Sequence, residues 1–64
     1  FIVSEGESSS RVAERLYDAG LIDSSIEFEI MLKKANLQDA IKPGEYRIYF
    51  DDDTRTIIDK LTGR

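Results

Sequence analysis

The opening segment, Phe1-Ile2-Val3-Ser4-Glu5-Gly6-Glu7-Ser8-Ser9-Ser10-Arg11-Val12-Ala13, leaves this chain little freedom. Phe1 and Val3 fall on one side of a short strand and Ile2 on the other, Gly6 permits a tight turn, and Ser8 or Ser9 supplies a helix cap. From Ser10 onward Val12, Ala13, Leu16 and Ala19 recur at helical spacing. Gly20 then ends the helix in a left-handed conformation, with Leu21 placed to contact Leu16 as in a Schellman ending. A strand that turns at once into an amphipathic helix must lay that helix back over itself.

Ser24 and Glu27 form the pattern of a capping box, in which the serine hydroxyl accepts from the third backbone N–H and the carboxylate returns to the serine N–H. A second helix is expected from there. Phe28, Met31, Leu32 and Ala35 make its inward stripe. Ile26 and Ile30 lie off that stripe and leave the helix more apolar than a simple surface helix needs. Asn36 can end it with a positive φ, and Leu37 to Lys42 should cross back toward the first strand.

In Lys42-Pro43-Gly44-Glu45 the proline and glycine occupy the central positions of a type II turn, so the chain is expected to reverse there. Glu45-Tyr46-Arg47-Ile48-Tyr49-Phe50 alternates as a half-buried strand, with Tyr46, Ile48 and Phe50 facing the helices and Arg47 and Tyr49 facing away. Asp51, Asp52 and Asp53 precede a short last helix carrying Ile57, Ile58 and Leu61 and stopped by Gly63. The expected fold is a single α+β domain over residues 1–64 in the order β-α-α-β-α. Its two-stranded antiparallel sheet carries the helices on one face, since two strands alone are barely stable in water.

With 64 residues, no cysteine and no histidine, disulfide staples, zinc sites of the usual ligand set and nucleophile-histidine catalysis are excluded. A domain of this size buries about 60% of its unfolded surface, which leaves no room for a large enclosed cleft. Nine basic residues scattered among thirteen acidic ones, for a net charge of -4, argue against nucleic acid as a partner. No apolar run approaches the roughly 20 residues that span a bilayer. The chain starts abruptly inside a strand pattern, and the expectation is a fragment of a longer protein whose targeting or membrane segment lies upstream.

Asp51, Asp52 and Asp53 raise the question of calcium, but a calcium loop counted from Asp51 would have Thr56 where glycine is required and Thr62 where the bidentate glutamate belongs. A solvated helix cap accounts for these acids. A glycosidase carboxylate pair needs a buried acid facing a second carboxylate across a cleft, and no feature of this sequence builds one. No cofactor is indicated.

Gly6-Glu7-Ser8-Ser9-Ser10-Arg11-Val12-Ala13 resembles the opening of a LysM module: a strand, then glycine, an acid, a hydroxyl residue, and an aliphatic-alanine pair. Asn36-Leu37 followed by Ile41-Lys42-Pro43-Gly44 is similar to the asparagine, isoleucine and proline-glycine pattern that closes such modules. Three departures stand out. Glu7 replaces the usual aspartate, an Ala19-Gly20-Leu21-Ile22-Asp23-Ser24 turn precedes the second helix, and a third helix follows the last strand. With Pro43-Gly44-Glu45-Tyr46 and the closing Ile57-Ile58-Asp59-Lys60-Leu61-Thr62-Gly63, these features resemble the LysM-like domain of the YceG-like (MltG) endolytic murein transglycosylase family.

The resemblance implies a non-catalytic, extracytoplasmic, peptidoglycan-associated module in the cell envelope, lying between a membrane anchor and a catalytic domain that is absent from this chain. It implies glycan strands as partners and a groove between two loops. Glu7, Ser8 and Ser9 would form one wall, while Leu37, Ile41, Pro43 and Gly44 would form the other with apolar surface for sugar rings. The residue types leave a second reading open, in which a serine caps the helix, Glu7 favours its positive end, and Asn36 to Gly44 is a helix ending followed by a turn. Tyr17, Tyr46 and Tyr49 are stacking platforms in the first reading and half-buried sheet or core residues in the second. The alternative function is protein contact, with a catalytic partner domain or a second copy, through the open strand edges and through Ile2, Ile26 and Ile30.

Overall fold

In the computed structural model, which describes residues 1–63, the elements follow in the order β1 (Ile2–Val3), α1 (Ser9–Asp18), α2 (Ser25–Lys34), β2 (Gly44–Glu45) and α3 (Thr54–Thr62). The strands pair antiparallel, Ile2 opposite Glu45 and Val3 opposite Gly44. The Tyr46 N–H donates to the Phe1 carbonyl at 2.7 Å and the Phe1 ammonium donates to the Tyr46 carbonyl at 2.8 Å, extending the ladder by one step. This is the α+β layout expected from the sequence.

Each helix begins on a side-chain cap. Ser8, Ser24 and Asp53 accept from the backbone N–H of Arg11, Glu27 and Thr56, at 3.2, 3.2 and 2.8 Å. These bonds satisfy donors that the first helical turn leaves without partners. The ends of α1 and α2 share one construction. In α1 the N–H of Gly20 donates to the Tyr17 carbonyl and that of Leu21 to the Leu16 carbonyl, both at 3.0 Å. In α2 the N–H of Asn36 donates to the Lys33 carbonyl at 3.0 Å and that of Leu37 to the Leu32 carbonyl at 2.8 Å. Gly20 has φ +76° and Asn36 φ +57°, the left-handed geometry that both Schellman endings require.

The core joins one strand and all three helices. Val3 from β1, Val12, Ala13 and Leu16 from α1, Phe28 and Leu32 from α2, and Ile57, Ile58 and Leu61 from α3 are buried, with Ile22 and Leu37 closing the gaps between elements. The helices cover the Val3 face of the sheet. Ile2, on the opposite face, stays 56% exposed. Thr62 is buried with its hydroxyl donating to the Ile58 carbonyl at 2.7 Å, which lets a polar residue end the apolar face of α3.

The structure departs from the pattern of the sequence at several points. Ala19 and Ala35 belong to the helix caps and are exposed, so the inward stripes are shorter than expected. Met31 is only half-buried. No type II turn forms at Lys42 to Glu45. Gly44 has φ +147° where that turn needs about +80°, and it enters the β ladder directly. The chain instead comes back through a turn in which Ala40 N–H donates to the Leu37 carbonyl at 2.9 Å, and the Lys42 N–H docks on the Leu61 carbonyl of α3 at 3.0 Å.

The expected strand through Phe50 stops early. The Arg47 carbonyl accepts from the Lys60 ammonium at 2.9 Å and the Tyr49 N–H donates to the Asp52 carboxylate at 3.0 Å. Side chains thus take the backbone groups that a longer ladder would use. Tyr46 and Ile48 do pack against the core, but Phe50 is 79% exposed and its ring lies beside Gly20.

Candidate functional site

The loop from Ser4 to Ser8 is tied down by its own polar groups. Gly6 takes φ +79°, and the Glu7 N–H donates to the Ser4 carbonyl at 3.1 Å while the Ser4 N–H donates to Glu7 Oε1 at 3.0 Å. Arg15, two turns into α1, donates Nη1 to both Glu7 oxygens at 2.8 and 2.7 Å. The Glu7 side chain is 8% exposed. The hydrogen bond from Arg15, aided by the Ser4 N–H, holds the Glu7 carboxyl below its ordinary value of 4.5, so it is an ionised acceptor at neutral pH. The Arg15 guanidinium also lies 4.7 Å from the centre of the Phe1 ring, which joins β1, the loop and α1 at one point.

Sequence reasoning missed Arg15. Its signal was its position two turns beyond Ser8, which puts it on the helix side beneath the loop. Ser8 and Ser9 divide their roles: Ser8 caps α1, whereas the half-buried Ser9 opens the helix and its hydroxyl makes no hydrogen bond among the described residues.

Across from this loop stands the segment that follows α2. Gly6, Glu7, Ser8 and Ser9 face Gln38, Asp39 and Ile41 over a shallow cleft of about 350 Å³. Two segments widely separated in sequence therefore meet. The cleft offers the Ser9 hydroxyl, the Gln38 amide and the Asp39 carboxylate beside the half-buried Ile41 side chain. Hydroxyl, amide and carboxylate groups beside an apolar side chain suit a ligand rich in hydroxyl and amide groups, whose polar edges and apolar faces alternate.

Of the expected wall residues, Glu7, Ser8, Ser9 and Ile41 come together here. Leu37, Pro43 and Gly44 do not line this cleft. Leu37 is 8% exposed and belongs to the core and to a second groove, between α2 and α3, with Met31, Ala35 and Ile58. Gly44 is in β2, and Pro43 is exposed just before it. Gln38 and Asp39, in the same segment, were passed over because the sequence reading looked there for apolar surface.

None of the three tyrosines lines the cleft. Tyr17 is 53% exposed on α1. The Tyr46 hydroxyl donates to the Lys42 carbonyl at 2.6 Å, and Tyr49 lies beneath the Lys60 ammonium, 4.9 Å from the ring centre. The aspartates after Phe50 also have structural partners. Asp52 accepts from Lys60 at 2.6 Å and from the Tyr49 N–H, and Asp53 caps α3. Hydrogen bonding from Lys60 lowers the Asp52 pKa, and that from the Thr56 N–H lowers the Asp53 pKa. A general acid needs the opposite shift, so Glu7, Asp52 and Asp53 are anionic acceptors and not proton donors.

A family model described as the YceG-like family matches residues 1–64, the whole of the chain. Comparison with curated proteins and with solved structures returned no match.

Proposed function

Because the chain belongs to the YceG-like family along its whole length, we propose that it is a non-catalytic, extracytoplasmic module that associates with peptidoglycan and positions a membrane-anchored cell-wall protein on glycan strands. The observation that carries this reading is the cleft between Gly6–Ser9 and Gln38–Ile41. Its open form suits a polymer that passes across the surface and is held at one or two sugar units. Ser9 and Gln38 would hydrogen-bond the N-acetyl and hydroxyl groups, with Ile41 against an apolar sugar face.

Glu7 has a supporting part. Its carboxylate is engaged by Arg15 and by the Ser4 N–H, so it fixes the loop that carries Ser8 and Ser9 and leaves direct sugar contact to the neighbouring hydroxyls and amides. Binding through so small a cleft, without an aromatic platform in it, would be weak for a single sugar. It would gain strength from repeated units along the strand and from tethering to the parent protein.

The test is a titration of the domain with tetrameric N-acetylglucosamine and with soluble muropeptides, comparing the wild type with Gln38→Ala and Ser9→Ala. Reduced affinity in both variants, with melting behaviour preserved, supports the reading. Equal affinity in all three proteins sinks it.

A further inference from the structure

The face of α2 turned away from the core carries a pattern that the glycan reading does not use. Ile26 and Ile30, one helical turn apart, are 68% and 47% exposed, while Phe28 and Leu32 on the opposite side are fully buried. Glu27 and Lys34 flank this apolar pair on one side, both exposed, and neither forms an ion pair among the described residues. On the other side lie Lys33, exposed, and Glu29, which accepts from the Ser10 hydroxyl of α1 at 2.6 Å. Along the helix, then, acids come first and bases last, with Ile30 between them.

We infer that this face of α2 is a self-recognition surface, on which a second copy of the domain docks with its own α2 antiparallel. Charge and symmetry both favour this arrangement. When two identical helices meet antiparallel about a two-fold axis, each flank of one meets the same flank of the other with its direction reversed. Glu27 then meets the Lys34 of the second copy, and Lys34 meets its Glu27. Parallel apposition would set glutamate against glutamate and lysine against lysine, which disfavours it.

The same register serves the apolar residues. The midpoint between Glu27 and Lys34 falls beside Ile30, so the two Ile30 side chains meet at the axis. Ile26 is covered by the aliphatic stems of the lysines from the second copy.

The contact is small. A helix of 10 residues is about 15 Å long, so the pair buries less than the roughly 1,200 Å² of a stable complex. Association is therefore weak, with Kd on the order of 0.1–1 mM, and becomes effective where copies are held close together. Stripe and cleft share no residue, so this inference stands or falls independently of glycan binding.

Two measurements on the 64-residue domain test it. The first uses the wild type alone: amide spectra on dilution from about 1 mM to about 20 µM, with sedimentation equilibrium over the same range. Shifts concentrated on Ile26 to Lys34 with a mass rising toward the dimer are expected. A monomer mass at every concentration, or shifts elsewhere on the domain, overturns the inference. The second uses Glu27→Lys and Lys34→Glu. Each variant alone places like charges across the axis and should associate at least about tenfold more weakly than wild type. Their equimolar mixture restores both complementary pairs and should recover wild-type association. Variants that associate alone as tightly as wild type, or a mixture that stays monomeric, contradict it.

Discussion

The Arg15 guanidinium grips both carboxylate oxygens of Glu7, at 2.8 and 2.7 Å, and so ties the β1–α1 loop to the side of the helix it introduces. The contact stabilises the wall of the candidate cleft through an ionised group, and this gives the domain a defined response to acid. The pKa of Glu7 is lowered on folding, first by the Arg15 hydrogen bond. A depressed carboxylate contributes stability that is complete above its unfolded value and is lost as pH falls through the lower folded value. Unfolding midpoints of the wild type should therefore decline as the pH drops below the ordinary glutamate value of 4.5. Glu7→Gln should start lower at pH 7 and decline less steeply. Because Asp52 and Asp53 are depressed in the same direction, the variant keeps part of the slope. Urea melts from pH 7 to pH 3 check this, and parallel curves for the two proteins would contradict it.

A second prediction separates backbone strain from packing at the two helix ends. Gly20→Ala should destabilise by about 1–2 kcal/mol because alanine resists a positive φ. The space itself is available, since an added Cβ would meet the Phe50 ring at 3.8 Å, an ordinary contact. Asn36→Ala should cost about 1 kcal/mol for the same reason, whereas Asn36→Gly should be neutral or slightly stabilising at φ +57°. Chemical denaturation of the three variants measures this ordering.

The two phenylalanines Phe28 and Phe50 should respond in opposite ways. Phe28 is fully buried, and Phe28→Ala should cost about 3–5 kcal/mol. That is much of the roughly 3–10 kcal/mol expected for a chain of 64 residues, so the variant should melt far below wild type. Phe50 is 79% exposed, and Phe50→Ala should stay within about 0.5 kcal/mol of wild type. Circular dichroism melts distinguish the cases, and a large loss at Phe50 would restore the inward strand face that alternation suggested.

That contrast shows where sequence pattern was informative. Helix starts and stops depend on a few residues acting on neighbouring backbone, so the Ser8-Ser9 pair, Ser24, the aspartates before Thr54, Gly20, Asn36 and Gly63 marked the elements, and the structure picks Ser8 and Asp53 as the caps. Burial along Val12, Ala13 and Leu16 was legible for the same reason: a helix repeats its face every turn. The last strand was not, because beyond Tyr46, which pairs with Phe1, side chains of Lys60 and Asp52 take the backbone groups of Arg47 and Tyr49. Its outcome was decided by Lys60, a residue on α3. The Pro43-Gly44 turn failed similarly, since the ladder with Val3 and the bond from Lys42 to Leu61 set the backbone there. At the candidate site, the meeting of Ser9 with Ile41 followed from the two-loop expectation. The parts of Gln38 and Asp39 depend on how α1 and the segment after α2 sit together in space, which no local pattern encodes.

Replacing the two exposed polar residues of the second wall should leave the fold intact. Gln38→Ala and Asp39→Ala are surface substitutions without a hydrogen bond to another element among the described residues, so each should melt within about 0.5 kcal/mol of wild type. On the glycan reading, Gln38→Ala should nevertheless lower affinity for N-acetylglucosamine oligomers by roughly threefold to tenfold, the size of one or two lost neutral hydrogen bonds. Isothermal titration alongside thermal melts measures both quantities.

Most direct of all is a nitrogen-proton NMR titration of the labelled domain with tetrameric N-acetylglucosamine and with muropeptides, followed at the amides of Gly6 to Ser9 and of Gln38 to Ile41. The account predicts saturable shifts confined to those two loops, while the amides of Ile26 to Lys34 stay still. Unchanged spectra at millimolar sugar, or shifts scattered over the surface, would contradict it.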